Sequence, residues 1–297
     1  MKAIQKMNTK KTEKKIWINS KKLFAYNYRY FHNFKLSFLF IMLNERNVFF
    51  YWRGHEYKLI SLLRKLFYAY ANVGKGYNLV FVNDENLNDY IKDVPKFVYK
   101  MPPAIIADYI RVNLICDYGG IWLDSDTLVM ESLDSLFELL ENGNGFFVKE
   151  NNTIIWNGVF GSVKNTPLMK EWKKRICEKM KIQRHKIRWS EIGGRMLDEM
   201  FQDNSSLYDN YKIFEGLDNV YPVNWDNCVM EYLQKPYDNY NTIIREYQPF
   251  IVLVNSVYKE LENSCDTVEE LLKKDIPLNY FIIKSISNLG MKHDDFM

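Results

Sequence analysis

The chain has 297 residues, 47% of them hydrophobic and 26% charged, with a formal net charge of +3. This length and composition fit a folded globular chain with a full core, and the small net charge gives no ground for a nucleic-acid partner. Four cysteines, Cys116, Cys177, Cys228 and Cys265, lie far apart without a Cys-x-x-Cys pair, which excludes a common zinc module and suits reduced thiols.

Charge is uneven along the chain. Nine lysines and Arg29 precede residue 36 against the single acid Glu13, and Tyr26, Tyr28, Tyr30, Phe31 and Phe34 are interleaved with the later bases. Residues 1–46 are therefore expected to form a basic aromatic extension, helical in part. It is either a solvated tail or a segment resting peripherally on an anionic membrane. The apolar run Leu36 to Leu43 is far short of the roughly 20 residues that span a bilayer, and it lacks a small-residue cleavage site. A cytoplasmic protein, peripheral on the inner face of the cell membrane at most, is the expectation.

From residue 47 the pattern alternates. Asn47 to Gly54, "NVFFYWRG", reads as a first strand. Leu59, Leu62, Leu63, Leu66, Phe67 and Tyr70 then recur at helical spacing up to a stop at Gly74. Leu79 to Val82 reads as a second strand. "MPPAIIADYIRVNLICDYGG" reads as a helix, with Pro102 and Pro103 at its start and Gly119 past its end. "IWLDSD" follows as a strand. Further strands are expected over Phe146 to Lys149, Ile154 to Phe160, Tyr211 to Phe214 and Phe250 to Val254, with helices near Pro167 to Met180 and Glu191 to Phe201. Such alternation predicts an α/β fold with a mainly parallel, Rossmann-like sheet flanked by helices.

Two acids one residue apart, Asp124 and Asp126, end the short apolar run Ile121 to Leu123. In an α/β sheet this is where the chain enters the ligand crevice. Asp108 and Arg111 are three apart, on one face of the helix leading into the Gly-Gly turn, so an arginine and three acids converge near one strand end. That set suits a ligand with phosphates and hydroxyls held through a divalent cation, and hard carboxylate oxygens suit Mg²⁺ or Mn²⁺ better than zinc.

The segment "ADYIRVNLICDYGGIWLDSD", Ala107 to Asp126, resembles the signature of the DXD sugar transferases of glycosyltransferase family 32, which includes bacterial capsular polysaccharide synthesis proteins. Weaker matches follow in family order. Trp52 looks like the family's first-strand tryptophan, "WNGVFGS" like the segment whose asparagine (here Asn157) faces the donor sugar, and "EIGGRML" like a turn beside the diphosphate. "VLVNSVY" looks like the late His-x-x-Asn-Ser segment, with Val252 at the His position and Asn255 and Ser256 retained. The resemblance implies a GT-A fold, with a catalytic domain over 47–258 and a C-terminal extension over 259–297 that packs on or near it. It also implies a metal-dependent, retaining hexosyltransferase. The donor would be a UDP-hexose, UDP-galactose or UDP-glucose, and the acceptor a glycan or lipid-linked oligosaccharide.

The same resemblance implies the roles. Asp108, Arg111 and Asn157 would hold the donor sugar. Trp52 would stack on uracil. Asp124, Ser125, Gly193 and Gly194 would complete the nucleotide-sugar site, and Asp126, Asp124, Asn255 and Ser256 would face the cation. Two alternatives stand beside this. "LDSDT" also fits a haloacid-dehalogenase-type phosphatase with Asp124 as nucleophile, and a non-catalytic sugar-nucleotide-binding homologue would carry the same residues. His32, His55, His185 and His293 show no ligand spacing and read as incidental.

Overall fold

In the computed structural model, residues 46–150, 154–216, 220, 222–223, 227–234 and 248–292 are described, the side chains of Glu150, Ile154, His185, Ser256 and Val257 excepted. The basic aromatic segment, the run Leu36 to Leu43 and His293 lie outside the described residues. Among the described residues no helix is long and apolar enough to cross a membrane.

The first half alternates strand and helix as the periodicity predicts. Strand β1 (Asn47–Tyr51) leads to helix α1 (Lys58–Tyr70), strand β2 (Asn78–Val82), the short helix α2 (Leu87–Tyr90), the long helix α3 (Pro103–Tyr118) and strand β3 (Gly120–Leu123). Strand β4 (Thr127–Val129), helix α4 (Asp134–Glu141), strands β5 (Gly145–Glu150) and β6 (Ile154–Ser162), helices α5 (Pro167–Gln183) and α6 (Gly194–Asp203) and strand β7 (Tyr211–Glu215) follow. Strand β8 (Phe250–Val252) and helices α7 (Lys259–Asn263), α8 (Val268–Leu272) and α9 (Pro277–Asn288) come last.

The main sheet runs β2-β1-β3-β6-β5-β7, and a two-stranded antiparallel ribbon pairs β4 with β8. The pairs β1–β2, β1–β3 and β5–β7 are parallel, so the sheet is mainly parallel, as expected from the alternation. Strand β6 is the exception and runs antiparallel to both its neighbours. Only three residues separate Glu150 from Ile154, too few for a parallel crossover, so a direct return is the geometry that this link permits.

Helix α3 is apolar on nearly every side, and every residue from Asp108 to Cys116 is buried. A helix of this kind has to be covered all round. It lies between β1, β3 and β6 of the sheet and helix α5. On the opposite face, Val48, Phe50, Ile121 and Leu123 pack with Phe67 and Tyr70 of α1 and Leu136, Phe137 and Leu140 of α4. Helix α9 joins this body through Phe281, Ile282 and Ile286, which share a core with Leu59, Leu62, Leu63 and Leu66 of α1.

The Gly119–Gly120 turn fixes where β3 begins. Gly119 has φ 69° and Gly120 φ 117°, and a Cβ on Gly120 would stand 2.3 Å from the carbonyl oxygen of Asn47 on β1. No other residue type fits both the left-handed backbone and that approach. The turn thus seats β3 against β1 and sets the position of the two acids that follow.

Candidate active site

Helix α3 presents Asp108 and Arg111 on one face, both buried. The Arg111 guanidinium lies 3.5 Å from Asp108 Oδ1 and 3.1 Å from Asp124 Oδ1. It also donates to the backbone carbonyls of Asn157 and Ala107, the latter at 3.2 Å. The Asn157 amide, from β6, donates to Asp108 Oδ1 at 2.6 Å. One cation therefore draws together α3, the end of β3 and the middle of β6.

Asp124 is further held by the Trp122 indole N–H, which donates to the same Oδ1 at 2.9 Å. The guanidinium carbon of Arg111 sits 5.1 Å from the Trp122 ring centroid, so the aromatic residue supports both partners of the ion pair. The backbone N–H of Asp124 donates to Gly158 at 2.7 Å, and Thr127 N–H donates back to the Asp124 carbonyl at 3.0 Å. Between them Ser125 is buried, and its hydroxyl donates to the Tyr51 carbonyl at 2.8 Å. The Asp-Ser-Asp turn is thereby pinned to the end of β1.

Asp126 is half-buried. Its carboxylate accepts from the Asn255 backbone N–H at 3.0 Å, and its carbonyl accepts from Leu253 N–H at 2.8 Å. The late segment thus does reach the site, through the main chain of Asn255. Val252 is buried in β8 opposite Thr127. Gly193 abuts the cluster from the other side: a Cβ there would stand 2.4 Å from the Asn157 amide nitrogen and 2.9 Å from Asp108 Oδ2. Gly194 opens helix α6 immediately behind it.

Burial pushes the Asp108 carboxyl up to about 6, partly opposed by Arg111 and the Asn157 amide. Burial also raises Asp124, against the pull of Arg111. Asp126 is held above the usual carboxylate range by burial and then by the Asp124 charge. Three carboxyls share one guanidinium, so Asp126, buried beside the Asp124 charge, holds its proton more tightly than an ordinary carboxyl until a cation faces it.

Among the described residues no three His, Cys, Asp or Glu side chains form a cluster suited to a metal. The donor chemistry nevertheless fits a hard divalent cation, which would take carboxylate oxygens from Asp126 and Asp124 and leave its other positions to water or phosphate oxygens. Trp52 is half-buried at the end of β1. Its indole N–H donates to the His55 carbonyl at 3.1 Å, and its ring meets Tyr57 edge-on at 6.0 Å. The Ser256 side chain lies outside the described residues.

A second polar group goes unanticipated by the sequence reading. The Tyr51 hydroxyl donates to Asp84 at 2.6 Å, and Arg53 binds Asp84 at 2.5 Å while donating to the carbonyls of Tyr99 and Met101. Tyr51 pairs in parallel with Val82, so residues just past β1 and β2 meet beyond the same sheet edge. The signal was the polar trio Arg53, Asn83 and Asp84 directly after two apolar runs.

Residues 2–189, well over half of the chain, match a family described as capsular polysaccharide synthesis protein. The chain belongs to this family. A comparison with curated proteins finds no match. Among solved structures, the PaToxG glycosyltransferase is similar at 15% identity over 58% of this chain and 76% of its own, with a TM-score of 0.37. The glycosyltransferase GlyE of Streptococcus pneumoniae TIGR4 is similar at 12% identity over 82% of this chain, with a TM-score of 0.43, and this chain spans 64% of GlyE. An active-site mutant of LgtC is similar at 14% identity over 69% of this chain and 86% of its own, with a TM-score of 0.35. These likenesses are remote. What this capsular polysaccharide synthesis protein does chemically is written in its own site.

Proposed function

We propose that the chain is a glycosyltransferase of GT-A type that moves a hexose from a UDP-sugar to a glycan or lipid-linked acceptor in capsule synthesis. The observation that carries this reading is the cluster Asp108–Arg111–Asp124–Asn157, with the carboxyl of Asp126 beside it, tied to the Asn255 main chain. Asp108 and Asn157 offer acceptor and donor groups for sugar hydroxyls. Arg111 orients Asp108 and Asp124 and partly neutralises them. Asp126, with Asp124 behind it, would hold Mn²⁺ or Mg²⁺, which would supply charge neutralisation for the two phosphates of the donor and the departing UDP. Gly193 brings its backbone close against Asp108 and Asn157, where a Cβ would collide with both, and so helps to hold them in place. Trp52, at the end of β1, would offer its ring to uracil. The transfer would retain anomeric configuration.

The phosphatase alternative is less well supported. A phosphate-accepting Asp124 needs a free carboxylate, whereas its Oδ1 already receives Arg111 and the Trp122 indole. Incubating the chain with UDP-glucose, UDP-galactose and GDP-mannose in manganese tests the proposal. UDP release from a UDP-sugar, lost in excess chelator, is expected. Asp126→Asn should keep its fold and lower that rate roughly 100-fold or more, as for loss of a charge-stabilising group. Release of inorganic phosphate alone, or a full rate in chelator, would overturn it.

A further inference from the structure

Helix α5 buries Leu168, Met169, Trp172, Ile176 and Met180. Ile182 lies two residues past Met180, and so on the opposite face, where it is 82% exposed. The chain then turns at Arg184, whose φ is 46°, and runs to Trp189, which is 69% exposed although Ile187 and Ile192 on either side are buried. Two large apolar side chains thus stand in water where α5 ends.

The bases around them are unlike those farther back on α5. Lys173 pairs with Asp117 at 2.6 Å, Lys174 and Arg175 with Glu171, Arg175 also with Asp203, and Lys179 with Glu191 at 3.0 Å. Lys181, Arg184, Lys186 and Arg188 are exposed, and none makes an ion pair with a carboxylate of the described residues. Arg184 also shares the rim of a small cleft with Lys100, Met101, Pro102, Ile105 and Ile187, which brings a fifth base to the same side. Exposed Trp and Ile set among unpaired cations match the amphipathic chemistry of a lipid headgroup layer, where the indole settles at the interface and the bases meet lipid phosphates.

We propose that the tip Lys181–Trp189 seats on an anionic lipid leaflet, with Ile182 and Trp189 entering the headgroup layer and Lys181, Arg184, Lys186 and Arg188 against lipid phosphates. Trp189 is four residues before Gly193, which abuts Asp108 and Asn157, so the seating brings the candidate active site next to the leaflet surface. On the sugar-transfer reading this is where a lipid-linked acceptor presents its end. The contact itself does not depend on that reading, and its test needs no turnover.

The experiment uses the full chain and vesicles of phosphatidylcholine with or without phosphatidylglycerol, some carrying brominated acyl chains. Tryptophan emission of the native chain should be quenched by brominated phosphatidylglycerol vesicles, and Trp189→Phe should remove part of that quenching. This difference reports on the tip alone, whatever residues 1–45 add. The quadruple variant Lys181→Gln/Arg184→Gln/Lys186→Gln/Arg188→Gln should bind the anionic vesicles roughly tenfold or more weakly at low salt. Equal quenching in the native chain and Trp189→Phe would overturn the proposal, as would unchanged vesicle affinity in the quadruple variant. Charge-dependent binding of soluble polygalacturonate without quenching by vesicles would instead assign the tip to an anionic glycan, which also overturns it.

Discussion

Asp108 is the residue at which electrostatics and chemistry pull apart. Its carboxyl is buried beside Arg111 and Asn157, yet burial outweighs both and lifts it to about 6. In an unfolded chain the same group titrates near 3.9. The folded state therefore holds the proton more tightly, and stability from this group is present below about pH 4 and lost as pH rises to about 6. Asp108→Asn removes the penalty while keeping an acceptor for the Asn157 amide. The expected outcome is that the variant gains stability relative to the native chain between pH 4 and 7, by up to about 3 kcal/mol from 1.36 kcal/mol per pH unit, while losing sugar transfer. Urea unfolding of both proteins across that range checks it. A constant difference in unfolding free energy would mean that the carboxyl is not raised. The spacing of Asp108 and Arg111 was legible because three residues on a helix share a face. The clamp on Asp124 by Trp122 was not, because Asp124 lies past the end of β3 and the turn after Leu123, which the strand period does not describe, decides that its carboxylate meets the indole.

At the scale of elements, the site depends on how β3 is seated. A side chain on Gly120 would collide with the Asn47 carbonyl and would also be strained at φ 117°. Gly120→Ala should therefore destabilise the chain by about 3 kcal/mol or more, combining backbone strain with displacement of β1. Calorimetric melting checks this, and a loss under about 1 kcal/mol would show that the sheet accommodates the methyl group. A second element contact ties the end of the chain to α1. Buried Glu262 of α7 accepts from the backbone N–H groups of Lys58 at 3.0 Å and Leu59 at 2.5 Å, at the start of that helix. Glu262→Ala leaves two donors without their partner and should cost about 1–3 kcal/mol, which urea unfolding would read. This cap was invisible in sequence because its partners lie some two hundred positions apart. Helix α4 was within reach: Leu136, Phe137 and Leu140 recur at helical spacing. The strand directions were only half legible, since alternation marks strands without orienting them. The three-residue link before Ile154 is what betrays β6.

For the whole molecule, the site is a meeting point of distant segments. Asp108 comes from α3, Asp124 and Asp126 from the turn after β3, Asn157 from β6, Gly193 from the turn before α6, and the Asn255 main chain from beyond β8. An unfolded chain cannot assemble this set, so a ligand of the site binds the folded state and raises its stability by mass action. The carboxyls of Asp124 and Asp126, each raising the cost of ionising the other, oppose a diphosphate and favour a divalent cation. The two ligands should therefore help each other, and by linkage each raises the affinity of the other by the same factor. Manganese alone and UDP alone are expected to shift the melting temperature little. Together, with the manganese–UDP pair at roughly 100 times the dissociation constant of that pair from the site, they should add about 2.7 kcal/mol, a shift of several degrees for a chain of this size. Asp126→Asn should abolish the manganese-dependent part and leave whatever UDP achieves alone. Equal shifts by UDP in manganese and in chelator would show that the carboxylates hold no cation with the nucleotide, and that their charge is answered by Arg111 alone.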